Sequence, residues 1–259
     1  MILLPTNIPE IDRSVITLIN NEIKAIYRLI TFSRKHLADD LLDSFLSNTE
    51  DLKELLSIKN AQMEAQDDEE VKAYLKSLNK ALVFVTKEIN KNHNFETELQ
   101  LFQIFRLTSP ESHANHPNRY RSTMVQIGSY LCPDPAEVPS LVSQLFFNLL
   151  KIKDPILKAI YFHHELIRIH PFSDGNGRTT RISKNWMLMY HLYPPIFIRN
   201  DREKEEYIST LSKSFNALDR RPNSWNEHTI NFFKQEINRI YSNTNMIYNK
   251  VHKMGYMVE

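Results

Sequence analysis

Apolar residues return at intervals of three and four along most of this chain. Over residues 12–45, Val15, Leu18, Ile19, Ile23, Ile26, Leu29 and Ile30 form one helical stripe, which Leu37, Leu41, Leu42 and Phe45 continue. A second helix is predicted over residues 50–58. The acidic run Gln66-Asp67-Asp68-Glu69-Glu70 opens a third, with Val71, Leu75, Leu78, Leu82, Val85 and Ile89 on one face. Acids suit the positive end of a helix dipole, so the run reads as a solvated helix start. The helical period lapses at Thr108, and residues 109–118 read as loop. Thr123, Val125 and Ile127 then alternate with Ser122, Met124 and Gln126 ahead of Gly128, which predicts a short strand. Asp134-Pro135-Ala136-Glu137 carries an acidic N-cap, a proline at the first helical position and a glutamate three residues after the cap. Asp154-Pro155 begins another helix in the same way; it runs to Ile169 and ends before Pro171. The period resumes at Arg178 and returns over residues 203–218 and 227–248. The pattern describes an all-α helical bundle with one small β element.

Composition narrows the function classes. The 259 residues are 42% apolar, enough for a core of ordinary size in one large domain or in a domain with a helical extension. The formal charge is +1 with both signs scattered, which provides no basic face for nucleic acid. Cys132 stands alone, so no intrachain disulfide forms and a reducing compartment is expected. Residues 1–9 have no basic n-region and meet Pro5 early, unlike a signal peptide. No stretch approaches the roughly 20 apolar residues of a spanning helix. A cytoplasmic location is expected, with secretion as an effector into a host cytosol left open.

Glycine is the scarcest useful signal. Of four glycines, two lie in His170-Pro171-Phe172-Ser173-Asp174-Gly175-Asn176-Gly177-Arg178-Thr179-Thr180-Arg181. Gly175-Asn176-Gly177, between the end of one helix and the start of another near Gly177, can aim successive N–H groups into one hollow. Such a nest at a helix N-terminus binds anions, phosphate above all. Arg178 and Arg181 are three apart and share a helix face, with forked donors suited to phosphoryl oxygens. Asp174 can hold Mg²⁺ (or Mn²⁺) against the same phosphates, because Mg²⁺ takes one or two carboxylates plus phosphate oxygens. His170 can accept a proton near neutral pH. Phe172 is read as the ring that anchors the loop. The set describes a base beside a metal-bound polyphosphate, with a hydroxyl nucleophile brought from outside.

These residues resemble the signature of the Fic-domain family, histidine-x-phenylalanine-x-acid-GNGR-x-x-arginine. His170, Phe172, Asp174, Gly175, Asn176, Gly177, Arg178 and Arg181 match every specified position. The resemblance extends over roughly residues 71–240. It divides the chain into an N-terminal helical extension (1–70), a Fic domain (71–240) and a C-terminal helical tail (241–259). It implies an all-α Fic fold with a β-hairpin flap over the active site. The activity it implies is protein adenylylation, the transfer of AMP from ATP to a Ser, Thr or Tyr hydroxyl. In that role His170 deprotonates the target hydroxyl and Asp174 holds the metal. Gly175, Asn176 and Gly177 cradle the α- and β-phosphates, while Arg178 and Arg181 bind the outer ones. Thr123, Met124, Val125, Gln126 and Ile127 would pair with an extended target segment. Tyr207 and Asn216 are similar to family residues that line the adenine pocket.

One family feature has no counterpart. The self-inhibitory Ser/Thr-x-x-x-Glu-Gly/Asn motif is absent, since no glutamate in the chain is followed by Gly or Asn. The stretch in the expected place, residues 41–49, carries no matching glutamate. The isolated protein is therefore expected to be active, or to be held off by a separate antitoxin-like protein; a homodimer is also allowed. Alternatives are a Fic protein that removes AMP or transfers another phosphate-containing group, and a non-catalytic flap-mediated binding module. A zinc-protease reading fails, because His164-Glu165 has no second histidine four residues after the first. Trp186, Met187, Leu188 and Met189 read as core.

Overall fold

The structure, a computed structural model, describes residues 1–32, 68–115, 117, 119–196, 198 and 201–255. The expected continuation of the first helix to Phe45, the helix over 50–58 and the stretch 41–49 lie outside the described residues. In chain order the elements are α1 (Arg13–Phe32), α2 (Asp68–Asn90), α3 (Glu98–Thr108), α4 (Pro110–Asn115), β1 (Gln126–Ile127), β2 (Tyr130–Leu131), a 3₁₀ turn (Pro135–Glu137), α5 (Val138–Leu149), α6 (Pro155–Ile169), α7 (Asn176–Tyr190), α8 (Asp201–Arg220) and α9 (Glu227–Gly255). Among the described residues the fold is all-α with one two-stranded hairpin. Among the described residues no helix is long and apolar enough to cross a membrane.

The caps act where the sequence places them. Asp154 accepts a hydrogen bond from the Leu157 N–H at 2.9 Å with Pro155 at the first helical position. Asp134 accepts from the Ala136 N–H at 2.8 Å, but the first turn after it is 3₁₀ before α5 begins at Val138. Thr97 and Gln100 form a reciprocal capping box at the start of α3. Three expectations need correction. The stretch read as loop after Thr108 holds the one-turn-and-a-half helix α4, because Pro110 sits at a first helical position, where its missing N–H is harmless. The strand read over Thr123 to Ile127 pairs only at Gln126 and Ile127, since its partner is a two-residue strand across a tight turn. Leu18 also leaves the α1 stripe and is exposed, while Ile16, Ile19 and Ile26 are buried.

Helix α6 lies at the centre. Every residue from Ala159 to Ile169 is buried, so its polar members must pair inside. Burial opposes the charge of Glu165, yet Arg168 and His164 bring its pKa down to about 2. The same carboxylate accepts the Leu4 N–H at 3.0 Å, and Arg168 Nη2 donates to the Ile2 carbonyl at 2.7 Å. The first residues of the chain thus lie along α6. Helix α7 packs on α6, and α9 packs on both α1 and α8. Helix α9 crosses position 240 without a break, and Asn245 in its last turns donates to Glu22 of α1 at 2.9 Å.

Candidate active site

Helix α6 delivers His170. The residue stands just past the last turn with φ 50° and ψ 63°, and its N–H still bonds the Leu166 carbonyl at 2.9 Å. Pro171 drives it out of the helical region as expected, but into the left-handed rather than the extended one. Such a conformation stores about 1–3 kcal/mol and persists only where surroundings impose it. The ring Nδ1 lies 3.3 Å from the Ile167 carbonyl, which assigns the proton to Nδ1 and leaves the Nε2 lone pair free. Burial pushes the His170 pKa down to about 4, with a smaller push from Arg121, against the Ile167 carbonyl and Asp174. The ring is therefore neutral at pH 7, the form a base requires. We expect its proton resonances to titrate near pH 4, well below an ordinary histidine. An activity needing the neutral ring then stays flat down to about pH 5 and falls below it. A midpoint near the ordinary value of about 6.5 would contradict this burial.

The loop after His170 is closed by two internal contacts. Phe172 is buried and stacks on Phe105 with ring centroids 3.8 Å apart, the anchoring expected of it. Asn176 uses both ends of its amide on Phe172: it accepts the Phe172 N–H at 2.8 Å and donates to the Phe172 carbonyl at 2.7 Å. Its side chain therefore shapes the loop, and its backbone N–H is what it can offer a ligand. Gly175 caps α7 in the left-handed conformation with φ 76°, while Gly177 is already helical. A Cβ on Gly175 would fall 1.8 Å from Ser109 Oγ, so glycine is required there by both conformation and space. Gly175→Ala should lower stability by about 1–2 kcal/mol from the left-handed strain alone and weaken nucleotide binding. Melting and ATP titration check this, and a variant matching wild type in both would be inconsistent with the close packing.

The cationic groups bracket this turn. Arg178 Nη2 lies 3.7 Å from the position a Gly175 Cβ would take, and Arg181 Nη1 lies 3.1 Å from that of Gly177. Two guanidiniums thus fold over the first turn of α7, where unpaired N–H groups and the helix dipole already favour an anion. Asp174, 70% exposed at its side chain, pairs with Arg178 Nη2 at 2.9 Å. Among the described residues no group of three or more His, Cys, Asp or Glu is placed to hold a metal.

The flap runs past this site. Its register pairs Gln126 with Leu131 and Ile127 with Tyr130 around a turn with Gly128 at φ 58°, and the Cys132 N–H bonds the Val125 carbonyl at 3.1 Å. Val125 and Ile127 pack on the core, leaving Thr123, Met124 and Gln126 exposed. Since the Val125 carbonyl faces the partner strand, the main-chain groups of Met124 and Gln126 face the open edge. Cys132 behind the flap is buried, and burial pushes its thiol up to about 11, against Arg121, so it is a poor nucleophile.

Tyr207 and Asn216 are not brought together. They are nine apart on α8, which puts them on opposite faces. Asn216 is exposed and accepts from Ser129 Oγ of the flap turn at 3.3 Å. The Tyr207 hydroxyl is buried against His163 Nε2 at 2.8 Å. His163 and His164 are both core histidines, the latter held between Glu165 and Ser214 at 2.7 and 2.8 Å.

Two features escaped sequence reasoning. Arg121, buried at 4% exposure, ties the flap to the His170 segment. Beneath Arg181, Glu236 of α9 receives Lys184 Nζ at 2.7 Å and Arg239 Nη1 at 2.5 Å, with His163 Nδ1 at 3.4 Å. A charged residue at an apolar position of a helix, such as Lys184 beside Ile182 and Trp186, is the one signal that could have found the second.

Comparison with known proteins shows what this chain is similar to. Residues 98–188 match the model of the Fic/DOC family. A protein adenylyltransferase Fic of Nematostella vectensis is 34% identical over 150 residues, covering 56% of this chain and 34% of that protein. A protein adenylyltransferase Fic of Culex quinquefasciatus is 29% identical over 166 residues, covering 62% and 33%. The chain spans about a third of the length of these relatives. Among solved structures, a Fic domain containing signaling protein from Bacteroides thetaiotaomicron superposes with a TM-score of 0.69 at 20% identity, covering 92% of this chain and 97% of that one. Fic-1 (residues 134–508) from C. elegans gives 0.63 at 19% identity, covering 93% and 74%. At these identities the structures show the same fold. Residues 98–188, the motif of His170 to Arg181 included, therefore resemble a Fic/DOC family domain.

Proposed function

We propose that this chain is a protein adenylyltransferase that moves AMP from ATP to a Ser, Thr or Tyr hydroxyl of another protein. The supporting observation is the neutral, half-buried His170 next to a helix N-terminus that two guanidiniums bracket. The relatives named protein adenylyltransferase Fic support the same reading.

The backbone N–H groups of Gly175, Asn176 and Gly177 receive the inner phosphates, and Arg178 and Arg181 the outer ones. His170 Nε2 takes the proton of the incoming hydroxyl. The hydroxyl oxygen bonds the α-phosphorus as the bond from that phosphorus to the β-bridging oxygen breaks, and pyrophosphate leaves. Asp174 fits a Mg²⁺ ion, because that ion takes few carboxylates and completes its shell with phosphate oxygens and water. Bound there, the ion would neutralise phosphate charge. Arg178 must then exchange its Asp174 partner for phosphate, a change the exposed pair allows. The target segment adds to the open edge at Met124 and Gln126. Asn216, which lies beside the flap turn, meets the base in this reading, whereas Tyr207 supports from within.

Mass spectrometry tests the reading. Lysate proteins incubated with the purified chain and Mg-ATP should carry adenylyl adducts on hydroxyl residues. Phosphate adducts alone would show that another bond of ATP is broken.

A further inference from the structure

We infer that Arg121 is a positioning residue that fixes the flap and His170 in one geometry. Its contacts converge from two directions. From the catalytic side, Arg121 Nε donates to the His170 carbonyl at 2.8 Å, its Nη2 to the Ile169 carbonyl at 3.4 Å, and its own backbone N–H to the Pro171 carbonyl at 2.8 Å. From the flap side, Nη1 donates to the Thr123 carbonyl at 2.8 Å and Nη2 to the Pro133 carbonyl at 2.6 Å. Thr123 leads into β1, and Pro133 lies two residues past β2. One guanidinium therefore closes the stem of the hairpin and also grips the carbonyl of His170.

The chemistry explains why an arginine is used. The end of α6 leaves carbonyls with no intrahelical partner, and Pro171 has no N–H to contribute. A buried carbonyl without a donor is destabilising, and a cation at a helix C-terminus is favoured by the dipole. Four carbonyls spread around one guanidinium call for donors in a fixed fork. A lysine ammonium at that place would offer a single atom and could not span both groups. The neighbouring Tyr120 holds the same stem from outside: its hydroxyl donates to Glu98 of α3 at 2.8 Å, and its ring lies 6.0 Å from that of Phe172. The left-handed backbone of His170 is thus imposed by bonds to its own and its neighbours' carbonyls. Because the flap's open edge begins beside Thr123, the same side chain sets how far a docked hydroxyl stands from His170 Nε2. The significance for catalysis rests on the adenylyltransferase reading; the clamp itself does not.

The test uses the full chain. In wild type, the Arg121 Nε–H should give a distinct, slowly exchanging NMR signal, since it is buried on the His170 carbonyl; rapid exchange with solvent would overturn the inference. In Arg121→Lys, a cooperative melt should persist while amides of Ile127, Tyr130 and Cys132 exchange about tenfold faster or more, as in local opening. The Mg-ATP affinity of this variant should stay within about twofold of wild type, because Arg121 touches none of the phosphate-site residues. Millimolar ethylguanidinium should restore the flap protection of Arg121→Ala, with urea as the inert control. Exchange that rises equally over α2, α7 and the flap, or flap protection unchanged in both variants, would reduce Arg121 to an ordinary core residue. None of these readouts needs group transfer, so their failure is separate from failure of the adenylyltransferase reading, which labelling by the wild-type protein decides.

Discussion

His170→Ala is expected to lower protein adenylylation by about 10²- to 10⁴-fold, the usual contribution of a positioned general base. Binding of Mg-ATP should change little, because the phosphate contacts come from the first turn of α7 and from Arg178 and Arg181. The structure makes the substitution informative. His170 contributes its ring from a residue whose backbone is held by Leu166 and Arg121, so alanine removes the base without removing the loop's bonds. Relief of left-handed strain does not follow, since alanine tolerates that region no better than histidine does. Initial rates with α-labelled ATP, alongside isothermal titration of the nucleotide, measure both parts. Loss of ATP affinity in step with activity would mean that the ring holds the loop rather than the proton.

The second large effect belongs to stability. Glu236→Ala should destabilise the fold by about 3–5 kcal/mol, the range for removing one partner of a buried ion pair. Burial opposes the charge of Glu236, but Lys184, His163 and Arg239 hold its pKa well below the usual carboxylate range. Alanine would leave the Lys184 ammonium buried at 2% exposure with no counter-charge. These residues sit on α6, α7 and α9, so the damage reaches the helices that carry His170 and Arg181. Joint replacement of Lys184 by Met and Glu236 by Leu should cost less than Glu236→Ala, since neither charge is then stranded. Urea denaturation of the three proteins settles the order. Acid acts in the same direction: folded pKa values below the unfolded ones make this stabilisation complete above about pH 4.5 and lost as pH falls through the folded value.

The helices and the motif were legible because their causes are local. Apolar spacing gives α1, α2, α6, α8 and α9, and Asp134 and Asp154 mark helix starts with cap and proline together. The loop at His170 to Arg181 is also self-contained: Phe172, Gly175 and Asn176 make their decisive contacts within it or directly against α3 and Ser109. What stayed hidden depends on distant partners. Arg121 reads as one more charge in a polar stretch until the fold brings Ile169, His170 and Pro133 around it. Glu236 and Lys184 are 52 residues apart, and nothing local couples them. Tyr207 and Asn216 were assigned to one pocket by resemblance, although a spacing of nine on a helix already separates their faces. The short strand was overextended because Val125 and Ile127 alternate for a packing reason, resting on the core, over a stretch longer than the paired segment.

Parallel incubations with ATP labelled at the α- or the γ-phosphate test the central claim most directly. With purified wild-type chain, Mg²⁺ and lysate proteins as acceptors, the account predicts label on protein from the α-position only, dependent on His170. Label from the γ-position, or α-label undiminished in His170→Ala, would contradict it.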